Sequence, residues 1–584
     1  MAETDQPSLF DQFARGWRGY ALVALIALMS SLFGAGQVPV LDPDEARYAQ
    51  ATRQMLESGD YVRIRLQDAE RNVKPVGVHW LQAASVTLFE PLTGKFNAIW
   101  PYRLPSALGL ALAAVATLWG GAVLVGRRAA LFGAALLAAG VLAGLEGMTA
   151  KTDALLLGFT TLAMAALARL RTLPDERRIL GSRELSMLFW AALGCGVLIK
   201  GPVAPLVVAL TLLALALWER RAAWMKPLLF WPAPLLALLI VAPWAIAITV
   251  ETQGRFFAGM FGGDIFPKLL SGQEGQFALP GFHTFLLPFL IFPATYALPA
   301  AGRVALEALR APRSDEAHAS IRFLIAWAAS TVLFFELAPT KLAHYVLPAY
   351  PAITLLCGCG LAAMRGFPWR TAHPAGVVLF AVSGVVLVTL IAMSATFMPG
   401  DFAADFRRAI STALIGIGIV AAGFTALIMM RRPAARVAAL VICALALSFS
   451  LRERLLPEAR TLFVSNEAVA ALTRARLTPR DDRPLWVVGY NETSLVFLTR
   501  TSIRMTTAED AGAQAEIGDA MVVEGRQLEA VAAQLAVRQL AFLPAEPPAQ
   551  GIAAGRGEHV RLFVGAVTAL EPVSEAAGGR PRNP

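Results

Sequence analysis

The strongest constraint on this chain is a series of apolar runs, each near bilayer-spanning length, interrupted at intervals by arginine. A hydrocarbon core about 30 Å thick calls for roughly 20 apolar residues per helix. Runs of that order cover Tyr20–Gly36, Leu104–Val125, Ala129–Leu145, Thr152–Leu170, Leu185–Ile199, Val203–Trp218 and Pro227–Val250. Others follow at Phe282–Ala301, Phe323–Leu337, Ala343–Met364, Val377–Met398, Ala409–Met430 and Ala434–Leu451. Lipid offers no water to bare backbone N–H and C=O groups, so such runs can only be helices. The expectation is an all-α polytopic membrane protein with about 13 transmembrane helices. Composition agrees, with 56% of the 584 residues hydrophobic and only 16% charged, where a soluble protein carries about a quarter. The first run is read as a retained span and not a cleaved signal peptide, because many spans follow it.

Every second loop is basic. Arg127-Arg128, Arg169 to Arg183, Arg220-Arg221 with Lys226, Arg303 to Arg313, Arg365 with Arg370, and Arg431-Arg432 with Arg436 share one side. Loops of that kind face the cytoplasm. The net charge of +9 therefore reports topology and gives no signal of nucleic-acid binding. The N-terminus is expected inside and, with an odd number of crossings, the C-terminus outside. The membrane domain is expected over residues 1–451, with long outer loops at 37–102 and 251–280. From residue 452 to 584 the pattern changes. Short alternating or apolar runs at Pro484–Gly489, Asp519–Glu524 and Val560–Gly565, between polar helical stretches, read as strands of a small α/β domain. Cys195, Cys357, Cys359 and Cys443 all lie within apolar runs and read as small core residues, not as metal ligands.

On this topology a set of charges from distant stretches emerges on the outer face. The densest group is Asp42, Asp44, Glu45 and Arg47, followed by Tyr48, just after the first span. Lys74, Asp153, Lys200, Glu274 and Lys341 join them, with His344 and Tyr345 beside Lys341. Charge at the end of a membrane helix is costly and marks function more often than decoration. Each residue also has a plainer reading. Asp44 and Glu45 sit where acids suit the first turn of a helix, Lys74 suits a snorkelling interface lysine, and a lone His344 serves structure as readily as function. Together they describe an outer pocket with carboxylates and several cations among lipid-facing helices. That combination fits a substrate with a phosphate head and a greasy tail. A transporter of lipid-linked intermediates would use the same cations, but it would place them near the midplane and show inverted repeats.

Five strings carry a family resemblance in order along the chain: Asp44–Ala49, Lys74-Pro75, Thr152-Asp153, Lys200-Gly201-Pro202 and Lys341–Pro351. The chain resembles the bacterial aminoarabinose transferases of lipid A and, more distantly, the protein O-mannosyltransferases. The resemblance implies the GT-C glycosyltransferase fold, a polyprenyl-phosphate sugar donor, a lipid or glycan acceptor, and inverting transfer on the periplasmic face of the inner membrane. It implies that Asp44 is the catalytic or acceptor-positioning carboxylate, with Asp153 assisting. Arg47, Lys74 and Lys200 would hold the donor phosphate, and Glu45, Tyr48, Lys341, His344 and Tyr345 would line the substrate. Val73 stands where the family has a glutamate, and the outer loop Gly272–Phe277 has no histidine. The leaving phosphate is thus expected to be neutralised by side-chain cations, with Glu274 the remaining candidate ligand for a divalent metal.

Overall fold

The apolar runs fold as helices whose ends are set by glycine, proline and charge. The computed structural model describes residues 16–94, 96–173, 180–270, 278–363, 372–397, 403–480 and 482–570. The helices begin with α1 (Arg18–Leu32), α2 (Asp44–Ser58), α3 (Gly77–Thr93), α4 (Trp100–Val125), α5 (Arg127–Ala138) and α6 (Val141–Met148). They continue with α7 (Asp153–Arg171), α8 (Leu180–Lys200), α9 (Val203–Glu219), α10 (Pro232–Thr252), α11 (Phe282–Leu290) and α12 (Leu298–Arg310). The last of this region are α13 (Ala319–Leu337), α14 (Tyr350–Ala363), α15 (Ala372–Met393), α16 (Ala403–Met429) and α17 (Pro433–Phe449).

Among the described residues, nine helices are long and apolar enough to cross a membrane. Two bent pairs raise the number to eleven: α5 with α6, at 56°, and α11 with Ala294–Arg310, at 110°. The expected count of about thirteen is not reached on length and composition. It also counted α1 and α9, which are apolar but shorter. The bends have local causes. Gly140 is extended between α5 and α6 (φ −61°, ψ 136°), whereas Pro288 and Pro293 each remove a backbone donor around the second bend.

Two compact units form. The first comprises residues up to Val38, Ala51–Phe397 and Ala403–Glu458; the second joins Pro39–Gln50 to the chain from Ala459. In the first, α4 and α7 lie against each other through small residues. A Cβ on Gly158 would stand 2.6 Å from the Gly109 carbonyl oxygen, and one on Gly120 would stand 2.6 Å from the Ala165 Cβ. In lipid, where apolar surface alone does not drive helices together, such close approach supplies the packing. Buried arginines tie down loose backbone. The Arg103 Nη1 donates to the Ala35 and Val38 carbonyls at 2.9 and 2.7 Å, and Arg452 donates to those of Ser30 and Gly144. A short hairpin, β1 (Arg65–Leu66) with β2 (Ala69–Glu70), follows α2.

The second unit holds a six-stranded sheet. Its strands are β3 (Leu485–Val488), β4 (Arg504–Thr506), β5 (Ala520–Glu524), β6 (Leu540–Pro544), β7 (Ala549–Ala553) and β8 (Glu558–Ala569). The order is β4-β3-β5-β8-β6, with β7 pairing the other half of β8. β3 is parallel to β4 and β5, whereas β8 is antiparallel to β5, β6 and β7. Alternation along the central strands feeds two cores. Leu485, Val487 and Val522 face one with helix Val464–Arg474, and Trp486, Val488 and Val523 face the other with helix Leu528–Ala536. The three strands expected from sequence are present. β4, β6 and β7, short or marked by proline and glycine, escaped the pattern.

Candidate active site

At one end of the first unit, helix termini gather charged side chains. Gly201 takes a left-handed φ of 63° and ends α8, leaving Lys200 as its last residue before Pro202 leads into α9. The Lys200 ammonium donates to the Asp153 carboxylate, at the first residue of α7, over 2.5 Å. It also lies 5.8 Å from the Tyr345 ring centroid. The 3-10 turn Ala343–Ala349 presents His344 between two carboxylates, with Nε2 3.6 Å from Asp153 and Nδ1 3.8 Å from Glu146. Lys151 completes the cluster, 2.9 Å from Glu146. Asp153, Lys200, His344 and Tyr345, more than 190 residues apart at the extremes of sequence, are thus brought together.

A second group adjoins them. Gly77 lets the chain after Lys74 press onto α8, since a Cβ there would stand 2.7 Å from the Leu198 carbonyl oxygen. The outer loop packs onto the same stretch, and a Cβ on Gly259 would stand 2.9 Å from Asn72. This places Asp264, in the π-helical turn Gly259–Ile265, against two cations. Lys74 bonds one of its carboxylate oxygens and Lys268 the other, the latter at 2.5 Å. Burial pushes the Lys74 ammonium down to about 8, against the pull of Asp264, and Lys268 and Lys200 add to the lowering. Burial alone would raise the Asp264 carboxyl, but Lys74 and Lys268 hold it below its ordinary value.

Lys341 points elsewhere, its buried ammonium donating to the Ala338 carbonyl at 2.6 Å. Glu274 lies outside the described residues. Sequence reading missed Glu146, Lys151, Asp264 and Lys268. A signal existed for Glu146, an acid closing an apolar run, and for Asp264 and Lys268, an i,i+4 pair in a mostly aromatic and apolar loop.

The second unit holds the remaining residues of the acidic stretch. Asp44 and Glu45 open α2 as expected. Glu45 is buried and accepts from the Leu41 backbone N–H at 2.9 Å, which is a capping role. Asp44 is exposed, 4.0 Å from Arg47, and Tyr48 is buried. Asp42 accepts from the Ser494 backbone at 3.1 Å. Burial pushes its carboxyl up to about 7, the hydrogen bonds of Ser494 acting against this and the nearby Glu492 with it.

A divalent metal, which the resemblance implies, does not fit what these residues offer. Among the described residues no group of three or more His, Cys, Asp or Glu side chains is placed to hold one. The Asp264 carboxylate is already taken by two ammonium groups.

Residues 73–246 match the sequence model of a family described as dolichyl-phosphate-mannose-protein mannosyltransferase. The chain is 31% identical over 332 residues to the undecaprenyl phosphate-alpha-4-amino-4-deoxy-L-arabinose arabinosyl transferase of Pseudomonas aeruginosa, 55% of each chain being covered. It is 29% identical over 330 residues to the protein of that name from Pectobacterium carotovorum, again over 55% of each. The chain thus spans about half the length of the curated relatives it matches. Among solved structures, ArnT from Cupriavidus metallidurans, bound to undecaprenyl phosphate, superimposes with a TM-score of 0.74. That match covers 93% of this chain and 97% of the other at 19% identity; the apo form gives 0.72. These likenesses show that the chain is a multi-pass membrane protein of the GT-C fold, and about half of it is similar in sequence to the aminoarabinose transferases.

Proposed function

We propose that this GT-C protein is an inverting glycosyltransferase that moves a sugar from a polyprenyl phosphate, of the undecaprenyl type, to lipid A or another envelope glycolipid or protein. The observation that carries the reading is the set of three lysines, Lys74, Lys200 and Lys268, held by Asp264 and Asp153 at one end of the helices. In the proposed reaction an acceptor oxygen forms a bond to the anomeric carbon as the bond from that carbon to the phosphate oxygen breaks. The electron pair leaves with the polyprenyl phosphate. Its charge is what Lys74, Lys200 and Lys268 stabilise, so clamping stands in for a general acid. Where the acceptor is a hydroxyl, Asp44 takes its proton; a phosphate acceptor, already anionic, needs only positioning. Glu45 supports Asp44 by capping its helix. His344 and Tyr345 belong to the walls around substrate.

The arginine-rich loops support an orientation with the N-terminus in the cytoplasm, and with the lysine cluster and the C-terminal domain periplasmic, in a bacterial inner membrane. The test is transfer by purified protein from a polyprenyl-phosphate sugar to a glycolipid acceptor, guided by the glycolipids that change in a deletion strain. Asp44→Asn, which keeps size but removes charge, is expected to lose about 10²–10⁴-fold in rate at normal protein levels. An Asp44→Asn enzyme that transfers at the parent rate refutes the assignment of the base. A deletion strain with unchanged glycolipids and glycoproteins refutes the function.

A further inference from the structure

The helix that begins with Asp153 ends with Arg171, about 27 Å away at 1.5 Å per residue. At that far end α7, α9 and α13 bring three charged side chains together. Arg171 Nη2 lies 2.6 Å and Arg322 Nε 3.3 Å from the same oxygen, Glu219 Oε1, and none of the three is more than 10% exposed. The Arg171 guanidinium stands over the Trp224 ring, 5.0 Å from its centroid. Among the described residues one carboxylate stands against two guanidinium groups, a net positive charge. Moreover, Arg171 Nη1, Arg322 Nη1 and Trp224 Nε1 are buried donors with no hydrogen-bond partner among the described residues. Buried polar groups are nearly always bonded, so one cluster with three orphaned donors is built for an acceptor, and its charge favours an anion.

The 3-10 turn that carries Trp224, Ala223–Leu229, also borders an apolar cavity of about 740 Å³. Trp190, Gly194, Leu212, Met225, Leu229 and Leu238 line it, and Lys226 joins the lining. Its walls come from α8, α9 and α10, helices of the membrane region. Donors for an anion and a slot for hydrocarbon, linked by one short turn, are the two halves of an anionic lipid. A free phosphate ion would use the first and leave the second unfilled.

We propose that this end of the helix bundle binds one anionic phospholipid. Its phosphate accepts from Arg171, Arg322 and Trp224, and one hydrocarbon chain lies in the cavity. The site is separate from the lysine cluster and does not rest on the transferase reading. The experiment uses the full chain, purified in detergent and stripped of lipid. Thermal unfolding and native mass spectrometry are followed with phosphatidylglycerol, with phosphatidylcholine and with inorganic phosphate at matched ionic strength. Phosphatidylglycerol is expected to be retained and to raise the unfolding temperature, and the other two are not. Arg322→Gln should weaken retention about tenfold or more. Trp224→Phe keeps the ring under Arg171 and removes only the donor, so it reports even where Arg322→Gln fails to fold; it too should weaken retention. Leu238→Trp, which fills the cavity and leaves the cluster alone, should do the same. Equal effects of the two lipids, stabilisation by phosphate alone, or parent-like retention in Trp224→Phe and Leu238→Trp would overturn the proposal.

Discussion

Lys74 illustrates how a single residue acquires its chemistry from partners remote in sequence. An ammonium buried beside other cations tends to shed its proton, and burial does lower Lys74 to about 8. Asp264, 190 residues further along, opposes that loss while it holds Lys268 as well. The sign of the pH dependence follows. Lys74 is charged below about 8 and releases its proton as pH rises through that value, so the hold on a phosphate proposed for it fades on the alkaline side. Replacing Asp264 with Asn removes the group that raises Lys74. In Asp264→Asn, the alkaline fall in donor affinity should therefore move to lower pH, with KM rising more than kcat falls. The measurement is KM for the polyprenyl-phosphate donor between pH 6 and 9; an unshifted profile would show that Asp264 does not tune Lys74. Lys74 was legible in the sequence because a lysine before proline in an outer segment is conspicuous. Asp264 was not, because its meaning lies in a pairing that no local pattern encodes.

At the scale of elements, small residues decide where the charged ends of the helices lie. α7 delivers Asp153, and α7 is seated on α4 where Gly109, Gly120 and Gly158 permit close approach. A Cβ on Gly158 meets backbone at 2.6 Å, so the two helices must part to admit it. Gly158→Ala is expected to cost roughly 1–3 kcal/mol, seen as a lower unfolding temperature in detergent, and to reduce transfer as Asp153 shifts. Gly418, whose Cβ would meet nothing within 4 Å, is the control, and Gly418→Ala should lose no stability. Matching behaviour of the two variants would refute the packing account. Helix existence was readable from apolar length alone, since every expected run overlaps at least one helix. Helix interruption was harder to read. The breaks at Gly140 and near Pro293 need only one or two residues, and windows of about 20 residues average over them.

For the whole molecule, the proposed topology is open to direct test. Reporter fusions after Arg183, Arg313 and Arg436 should behave as cytoplasmic, and those after Gln276 and within the C-terminal domain as periplasmic. A cytoplasmic C-terminal domain would break the odd span count and the proposed orientation with it. The amino-acid sequence by itself determined that this chain is a polytopic helical membrane protein with a separate α/β domain. Hydrophobic length and strand alternation are local properties, and the penalty for bare backbone in lipid leaves few other outcomes. It also placed Asp153, Lys200, His344 and Tyr345 in a larger outer-face set with Asp42, Asp44, Glu45, Arg47, Lys74, Glu274 and Lys341, because most of these stand where an apolar run begins or ends. Only the tertiary structure decided how those charges pair: Lys200 with Asp153, Lys74 and Lys268 with Asp264, Arg171 and Arg322 with Glu219. Ion pairing falls off over a few ångströms, and such distances between side chains far apart in the chain exist only once the helices have packed.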